Sequence, residues 1–370
     1  MTIVRREWPP GGGRRYEAFV ADAIADRAFS IDHDTLTTCD QAAGELGQIG
    51  AHLPVAWEPA GRLLLRAEGL ASSDIEGIRV DPRRLLRVQA GHADDVPAQW
   101  VLDNIDAIER AYDDAAKQLA TGLVLEWHRI LMGRSPLRPE HIGALRDVQG
   151  WIGGMDPTTA VFVPAPPEFI PDLMDDLVRF ANRRDLPPVW QAAVLHAQFE
   201  TIHPFADGNG RVGRALIGWC LRHRRVLARA VPPLSRVIAR QPDRYVHGLW
   251  LYREGRIDEW AEWFAAVCLA AAEAVAELTR GIADLQALWE ERLADLRSDS
   301  AARRLAPYLP ALPVMDVERA ATALGVTDRS ARSALDILER RGILEPMGPV
   351  ARGPGRPPRL WLAGELVGLL

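Results

Sequence analysis

The chain has 370 residues, enough for roughly two or three domains, and its 48% hydrophobic and 25% charged residues are ordinary for a folded soluble protein. Its net charge of −6 excludes a global basic field that would attract nucleic acid or an anionic membrane, so any nucleic-acid contact must come from a local patch. Cys39, Cys220 and Cys268 have no paired spacing, which argues against a disulfide framework and favours a reducing compartment. Because no apolar segment resembles a signal peptide or a membrane span, we expect a cytoplasmic location and no membrane partner.

Apolar residues at helical spacing predict a mainly α-helical fold for the first two thirds of the chain. Residues 1–15 are expected to be disordered or extended, and helical spacing begins at Tyr16. The short apolar run at 160–163, bounded by prolines, predicts a strand that forms one arm of a small hairpin. The predicted helices lie within about 16–71, 98–132, 171–183 and 189–202.

The last third of the chain begins with an Ala- and Leu-rich segment at 258–300 that is predicted to be helical. A linker near 298–300 or 307–310 follows. After it, the pattern predicts a helix at 317–324, a turn, a helix at 328–341, and two strands separated by a loop rich in proline and glycine.

The most informative string runs from His203 to Arg214: His-Pro-Phe-Ala-Asp-Gly-Asn-Gly-Arg-Val-Gly-Arg. Gly208 and Gly210 can adopt positive φ angles, which lets ligand oxygens approach the backbone amides. Those amides are expected at the start of a helix, whose dipole favours anions. The string therefore predicts a phosphate cradle.

The charged residues of the string suit the same ligand. Arg211 and Arg214 lie three positions apart, so both project from the first helical turn, and guanidinium groups bind phosphate oxygens with two hydrogen bonds. Asp207 is a hard oxygen ligand for a Mg²⁺ ion that arrives with the phosphates. His203 can accept a proton from a hydroxyl, because histidine ordinarily titrates near neutrality.

The string fits the signature His-x-Phe-x-Asp/Glu-Gly-Asn-Gly-Arg-x-x-Arg without a mismatch, and the chain thereby resembles the Fic family (filamentation induced by cAMP) of protein adenylyltransferases. Residues 150–167 resemble the flap of that family, and Gly143 and Arg146 resemble the Gly-x-x-Arg that precedes it. The resemblance covers roughly residues 100–270. One departure is Tyr245-Val246, which stands where the family often has two tyrosines near the nucleotide.

A second motif, Ser72 to Gly77, matches the family's inhibitory pattern Ser/Thr-x-x-x-Glu-Gly/Asn. The resemblance implies that Glu76 pairs with Arg214, the arginine that otherwise binds the γ-phosphate of ATP. Glu76 would thereby prevent the triphosphate from binding in the orientation that allows AMP transfer. The plain alternative is a helix end capped by Gly77, and both descriptions can hold at once.

The resemblance also implies a role for each residue of the longer string. His203 would be the general base that deprotonates the target hydroxyl, Phe205 would anchor the loop in the core, and Asp207 would bind Mg²⁺. The flap would hold a segment of the target protein by backbone pairing. The residues implied to contact ATP are Glu76, His203, Gly208, Asn209, Gly210, Arg211, Val212, Gly213 and Arg214.

The final segment resembles a winged helix-turn-helix domain, in which Thr327 would cap the second helix. Residues 316–361 contain eight arginines and six acidic residues, a net charge of +2, which is a thin electrostatic footprint for DNA. DNA binding and protein contact therefore both stay open for this segment. The arginines that could face a groove or line the wing are Arg329, Arg332, Arg352, Arg356 and Arg359.

These features predict a mainly α fold: a Fic helical core with a small β-hairpin flap, and a C-terminal winged-helix domain. The expected activity is transfer of AMP from ATP to a Ser, Thr or Tyr hydroxyl of a target protein, under inhibition by Glu76. Self-modification and a homodimer stay open, as do two rival functions: a hydrolase that removes AMP, and a DNA-binding regulator whose Fic core senses nucleotide. The expected divisions are 1–98 (helical region with the inhibitory motif), 99–275 (Fic catalytic domain), 276–310 (helical linker) and 311–370 (winged helix).

Overall fold

The computed structural model of the chain describes residues 1–51, 58–91, 94–228, 230–348 and 359–369. Its helices are α1 (His33–Ala51), α2 (Glu58–Ile75), α3 (Pro82–Gln89), α4 (Val96–Asp113), α5 (Thr121–Met132), α6 (Ile170–Ala181), α7 (Pro188–Ile202), α8 (Asn209–His223), α9 (Leu234–Ala239), α10 (Pro242–Arg253), α11 (Ile257–Arg292), α12 (Ala301–Leu305), α13 (Val317–Leu324), α14 (Asp328–Arg340) and α15 (Gly364–Val367). Its strands are β1 (Thr2–Trp8), β2 (Arg14–Val20), β3 (Val314–Met315), β4 (Glu345–Met347) and β5 (Leu360–Leu362). The fold is mainly α, as predicted.

Helix α7 lies at the centre of the main hydrophobic core. From Val189 to Ile202 every side chain of this helix is buried, because α1, α6, α8, α10 and α11 all pack against it. A helix that is covered on all sides carries apolar residues on every face rather than on one stripe. The loop that joins α7 to α8 is thereby fixed at both ends by buried helices.

The N-terminal segment forms an antiparallel hairpin of β1 and β2. The expected extended lead is therefore a paired strand, and the helical spacing predicted from Tyr16 is wrong as far as the start of α1. Tyr16 and Ala18 are buried while Arg15 and Glu17 are exposed, which is the period-two alternation of a strand. The hairpin docks on the flap, since the Phe19 amide donates to the Val163 carbonyl at 2.9 Å.

The flap, residues 150–167, precedes α6. The predicted strand at 160–163 is reduced to a single antiparallel bridge between Ile152 and Phe162. The Ile152 amide donates to the Phe162 carbonyl at 2.8 Å, and the Val161 amide donates back to Ile152 at 2.9 Å. The flap is thus a narrow loop held by one bridge and by the N-terminal hairpin.

The C-terminal segment combines α12, α13 and α14 with an antiparallel sheet in the order β3-β5-β4. The Thr327 side chain accepts a hydrogen bond from the Ser330 amide, as expected for the cap of α14. Arg329 and Arg332 are exposed, whereas Arg359 forms ion pairs with Asp336 and Glu339. Arg352 and Arg356 lie outside the described residues, and the winged-helix assignment stays a prediction.

Helix α2 packs against two partners. Leu63 and Leu64 belong to the same hydrophobic cluster as the C-terminal segment, and the Arg66 guanidinium donates to the Ala311 carbonyl at 3.2 Å. Helix α3 extends this contact, because Leu86 packs with Val314 and other residues of the C-terminal sheet. The opposite end of α2 reaches the loop between α7 and α8. Within the described ranges, none of the helices is long and apolar enough to cross a membrane.

Candidate active site

The site is built around the loop that joins α7 to α8. His203 ends α7 in the left-handed conformation, with φ 51° and ψ 61°, which costs a residue other than glycine about 1–3 kcal/mol. Gly208 begins α8, also in the left-handed region, at φ 80°. These two reversals turn the chain sharply, so that the α8 amides and the His203 ring face the same space.

Asn209 and Phe205 hold the loop in shape. The Asn209 Oδ1 accepts from the Phe205 amide at 2.8 Å, and its Nδ2 donates to the Phe205 carbonyl at 2.9 Å. The Phe205 ring is buried and stacks on His128 at 3.9 Å, as expected for an anchor. His128 in turn bonds the Asp207 carbonyl through Nε2 at 3.0 Å. The Asn209 side chain is thus engaged inside the loop, and its predicted contact with ATP depends on its backbone amide.

Two arginines of α8 are buried at the loop. Burial lowers the pKa of Arg211, and its Nε has no hydrogen-bond partner among the described residues. Its Nη2 lies 4.0 Å from Asp207 Oδ1. A buried guanidinium donor without a partner costs free energy, so this position favours an incoming anion.

Arg214 is engaged by the end of α2. Its Nε donates to Ser72 Oγ at 3.0 Å, and its Nη2 donates to the Ser72 carbonyl at 2.7 Å and to Glu76 Oε1 at 2.9 Å. Burial alone would raise the pKa of Glu76, but the adjacent Arg214 charge outweighs it, so the net pKa is lowered. Glu76 is therefore an ionised carboxylate at neutral pH.

The Glu76 carboxylate also lies on the glycine loop itself. A Cβ added to Gly210 would collide with Glu76 Oε1 and would come within 3.0 Å of Arg214 Nη1. The carboxylate therefore covers the backbone at the position where the sequence predicts phosphate contacts. Gly77, with φ 78°, ends this segment, so the helix-end description of the motif also holds.

The His203 ring has two different environments. Its Nδ1 is buried without a hydrogen-bond partner among the described residues, whereas the side chain as a whole is 21% exposed. Burial lowers the pKa of His203 to about 4, and the charges of Arg146 and Arg253 act in the same direction. The imidazole is neutral at pH 7 and can accept a proton on the edge that remains accessible.

Arg146 connects the His203 loop to the flap, a role that the sequence did not reveal. Its Nε donates to the His203 carbonyl at 2.8 Å, its Nη1 to Val148 at 2.9 Å, and its Nη2 to Ala165 at 2.5 Å. Its backbone amide donates to the Pro204 carbonyl at 2.9 Å. One buried side chain therefore fixes both ends of the flap relative to the histidine.

Three of the residues considered from sequence face the core instead of the loop. Val212 is buried in the main cluster, and the Cα of Gly213 faces α7, where an added Cβ would lie 2.5 Å from Glu200 Oε1. No side-chain contact supports the predicted binding of ATP by Val212 and Gly213, which stays a prediction. Tyr245 is buried behind Arg214, where its hydroxyl bonds His196 Nε2 at 2.9 Å.

The chemistry of the loop fits the magnesium ion that the sequence predicts at Asp207. No group of three or more His, Cys, Asp or Glu side chains that could hold a metal occurs within the described part of the chain. Mg²⁺ is commonly bound by one or two carboxylates together with substrate phosphates, so one exposed carboxylate beside an anion cradle is sufficient. The Asp207 side chain is 63% exposed, and its Oδ1 accepts from the Gly208 amide at 2.6 Å.

Comparison with curated proteins identifies relatives of part of this chain. The protein adenylyltransferase fic-1 of Caenorhabditis elegans is 32% identical over 97 residues, which are 25% of this chain and 17% of that protein. The protein adenylyltransferase Fic of Drosophila erecta is 33% identical over 145 residues, 38% of this chain and 26% of that protein. The chain thus spans less than a third of the length of these relatives.

Solved structures resemble more of the chain. A Fic family protein from Desulfovibrio desulfuricans G20 superposes with a TM-score of 0.56 at 22% identity, over 90% of this chain and 97% of that one. Fic-1 of C. elegans superposes with a TM-score of 0.52 at 18% identity, over 67% and 72% of the two chains. At these identities the likeness shows the fold. Residues 118–221, which contain the loop, His203 and both arginines, match the Fic/DOC family, and this matched stretch is called the Fic segment below.

Proposed function

We propose that this protein is a protein adenylyltransferase that transfers AMP from ATP to a Ser, Thr or Tyr hydroxyl of a target protein. The observation that carries the proposal is the loop between α7 and α8. It combines a neutral histidine, backbone amides at a helix start and two buried arginines. The curated relatives of part of this chain are named protein adenylyltransferases, which supports the same activity.

The chemistry is an in-line displacement at the α-phosphate. The hydroxyl of the target gives its proton to Nε2 of His203, its oxygen bonds to the α-phosphorus, and the bond to pyrophosphate breaks. Gly208 and Gly210 leave room for phosphate oxygens at the start of α8, while Arg211 and Arg214 balance their charge. Mg²⁺ held by Asp207 would supply further neutralisation of the phosphates when bound.

Glu76 is proposed to inhibit this reaction. Its carboxylate pairs with Arg214 at 2.9 Å and covers Gly210, so the γ-phosphate and Glu76 compete for one guanidinium. The γ-phosphate and the Glu76 carboxylate are both anions, so either one can pair with the positive charge of Arg214. Release requires that the end of α2 move or that the side chain rotate away.

The target is proposed to dock along the flap by backbone pairing. The flap presents exposed Trp151, Ile152, Met155 and Val161 next to the His203 loop. The target's identity and residue type are not specified by this surface, and both self-modification and a homodimer are consistent with it. The three cysteines are buried thiols without disulfides, which agrees with a cytoplasmic location.

The proposed domain division is that predicted from sequence, with the Fic catalytic domain at 99–275 and the winged helix at 311–370. The Fic segment at 118–221 lies inside the proposed catalytic domain. The paired Arg359 reduces the positive charge that the C-terminal segment can offer to DNA. A protein contact therefore competes with DNA binding as the role of this segment.

The test is incubation with ATP labelled at the α-phosphate, using wild type, Glu76→Gly and His203→Ala. We expect strong protein labelling by Glu76→Gly, weak labelling by wild type and none by His203→Ala. If Glu76→Gly binds ATP but labels nothing, the nucleotide-sensing rival is favoured. If wild type instead releases AMP from labelled protein faster than Glu76→Gly does, the hydrolase is favoured.

A further inference from the structure

We propose that Glu200 is a positioning residue for His203. The Glu200 carboxylate accepts a hydrogen bond from Nδ1–H of the imidazole while Nε2 takes the proton of the target hydroxyl. This inference rests on the proposed transfer reaction. It assigns a function to a buried acidic residue that the signature string does not include.

The Glu200 carboxylate lies close to the His203 ring. Glu200 lies in the last turn of α7, three positions before His203, the left-handed residue that ends the helix. Glu200 Oε2 lies 3.9 Å from His203 Nδ1. Catalytic hydrogen bonds are often long before substrate binds and shorten in the reacting complex. A shift of about 1 Å would close this contact.

The Nδ1 atom of His203 lacks a close side-chain partner. It is buried without a hydrogen-bond partner among the described residues, and Oε2 of Glu200 lies 3.9 Å from it. The other carboxylate oxygen of Glu200, Oε1, faces Gly213 and is likewise buried without a hydrogen-bond partner among those residues. Buried polar atoms are rarely left unpaired, and those that are call for an explanation such as a catalytic role. Because Nε2 must be unprotonated to act as a base, Nδ1 carries the hydrogen, and the nearest carboxylate oxygen to this donor is Oε2 of Glu200.

The packing of α8 against α7 preserves this arrangement. An added Cβ at Gly213 would lie 2.5 Å from Glu200 Oε1 and 3.2 Å from His196 Nδ1. Glycine at this position therefore leaves the space that the Glu200 carboxylate occupies.

The charges around Glu200 set the pH at which it can accept the hydrogen. Burial raises the pKa of Glu200 to about 7, Glu76 acts in the same direction, and Arg214 and Arg253 oppose it. Arg146 and Arg253 face His203 from the flap side and from α10. Only the ionised carboxylate supplies a negative charge that stabilises the protonated imidazole, so the transfer rate should rise as the pH increases through the pKa of Glu200.

The competing acceptor is the backbone carbonyl of the same residue, which interacts with the His203 ring and raises its pKa. That carbonyl survives every substitution at position 200, whereas the carboxylate does not. A structural role for Glu200, as a counter-charge for Arg214, would change stability without changing the pH dependence of the rate.

The experiment compares Glu200→Gln and Glu200→Asp with their parent in the Glu76→Gly background. Self-labelling rates are measured from about pH 5 to about pH 9, together with the KM for ATP. We expect Glu200→Gln to lower kcat at least about tenfold and to leave the KM for ATP nearly unchanged. It should also lose the rise of rate with pH, which in the Glu76→Gly parent is expected below about pH 7 because Glu76 no longer raises the pKa of Glu200. Glu200→Asp should restore part of that rise. The same pH profile in Glu200→Gln and parent would overturn the inference, whereas a parent that transfers no AMP would instead refute the proposed function.

A second measurement uses the wild-type protein and so does not depend on whether a variant folds. Nitrogen NMR of the wild-type protein, labelled at histidine, reports which ring nitrogen of His203 carries the hydrogen. The Nδ1–H tautomer is expected, because that nitrogen faces Glu200. The Nε2–H tautomer would overturn the inference, since its unprotonated Nδ1 cannot donate a hydrogen bond to Glu200.

Discussion

Replacing Glu76 with glycine should raise AMP transfer about tenfold or more. Arg214 makes three hydrogen bonds to the end of α2, but only the one to Glu76 involves a second charge. Charge-assisted hydrogen bonds contribute about 1.5–3 kcal/mol, and each 1.4 kcal/mol is about tenfold in an equilibrium. Because the Glu76 side chain is 36% exposed, solvent weakens the pair, and the lower end of that range applies.

The assay is the initial rate of self-labelling at one subsaturating ATP concentration. Glu76→Asp should be intermediate, because its shorter side chain pairs less well with Arg214. Arg214→Ala should stay inactive, since it removes the phosphate partner along with the inhibitory contact. Asp74→Ala is the matched control: this carboxylate lies on the same helix end but pairs with the exposed Arg79. A Glu76→Gly protein no faster than Asp74→Ala would refute the competition between carboxylate and phosphate.

Three other variants test the remaining contacts. His203→Ala should abolish transfer while calorimetry still detects ATP binding, because the base is not part of the phosphate cradle; undiminished transfer would contradict the mechanism. Arg146→Ala should lower the unfolding free energy by roughly 3 kcal/mol and slow transfer, since three carbonyls lose a charged donor, and an unchanged denaturant midpoint would argue against this role. Removal of residues 311–370 should leave transfer intact or faster, because α2 loses its C-terminal packing and holds Glu76 less firmly; a truncated chain that circular dichroism shows to be folded but that cannot label itself would place this segment in the active unit.

The sequence was sufficient for the features that local spacing determines. The order of His203, the two glycines and the two arginines predicted a helix, a tight loop and a helix, and α7 and α8 flank that loop as expected. The Thr327 cap was equally local, because a side-chain oxygen before a helix accepts an amide two or three residues later. Such features depend only on neighbours in the chain.

Features that depend on distant partners were missed unless the family resemblance implied them, as it did for the pairing of Glu76 with Arg214. The hairpin of β1 and β2 had a signal in Pro9-Pro10-Gly11-Gly12-Gly13, a turn-forming run between two alternating segments, and Gly11 and Gly13 indeed have positive φ. The resemblance pointed to Arg146, but no sequence pattern predicted which groups its guanidinium contacts. Its three acceptors are backbone carbonyls, which any residue supplies, so no sequence pattern marks them.

The low pKa of His203 follows from its burial and from the arginines around it. In the absence of nucleotide, burial and the charges of Arg146 and Arg253 lower its pKa to about 4, while the Glu76 carboxylate opposes this effect. A triphosphate at Arg211 and Arg214 would place more negative charge near the ring than Glu76 alone does, and an anion stabilises a protonated imidazole. On the proposed function, the histidine would therefore become a stronger base when ATP replaces the carboxylate, and a weaker one when Glu76 is removed without ATP. Proton abstraction would in this way be coupled to the binding of ATP, because the phosphate charge that displaces Glu76 would also raise the pKa of His203.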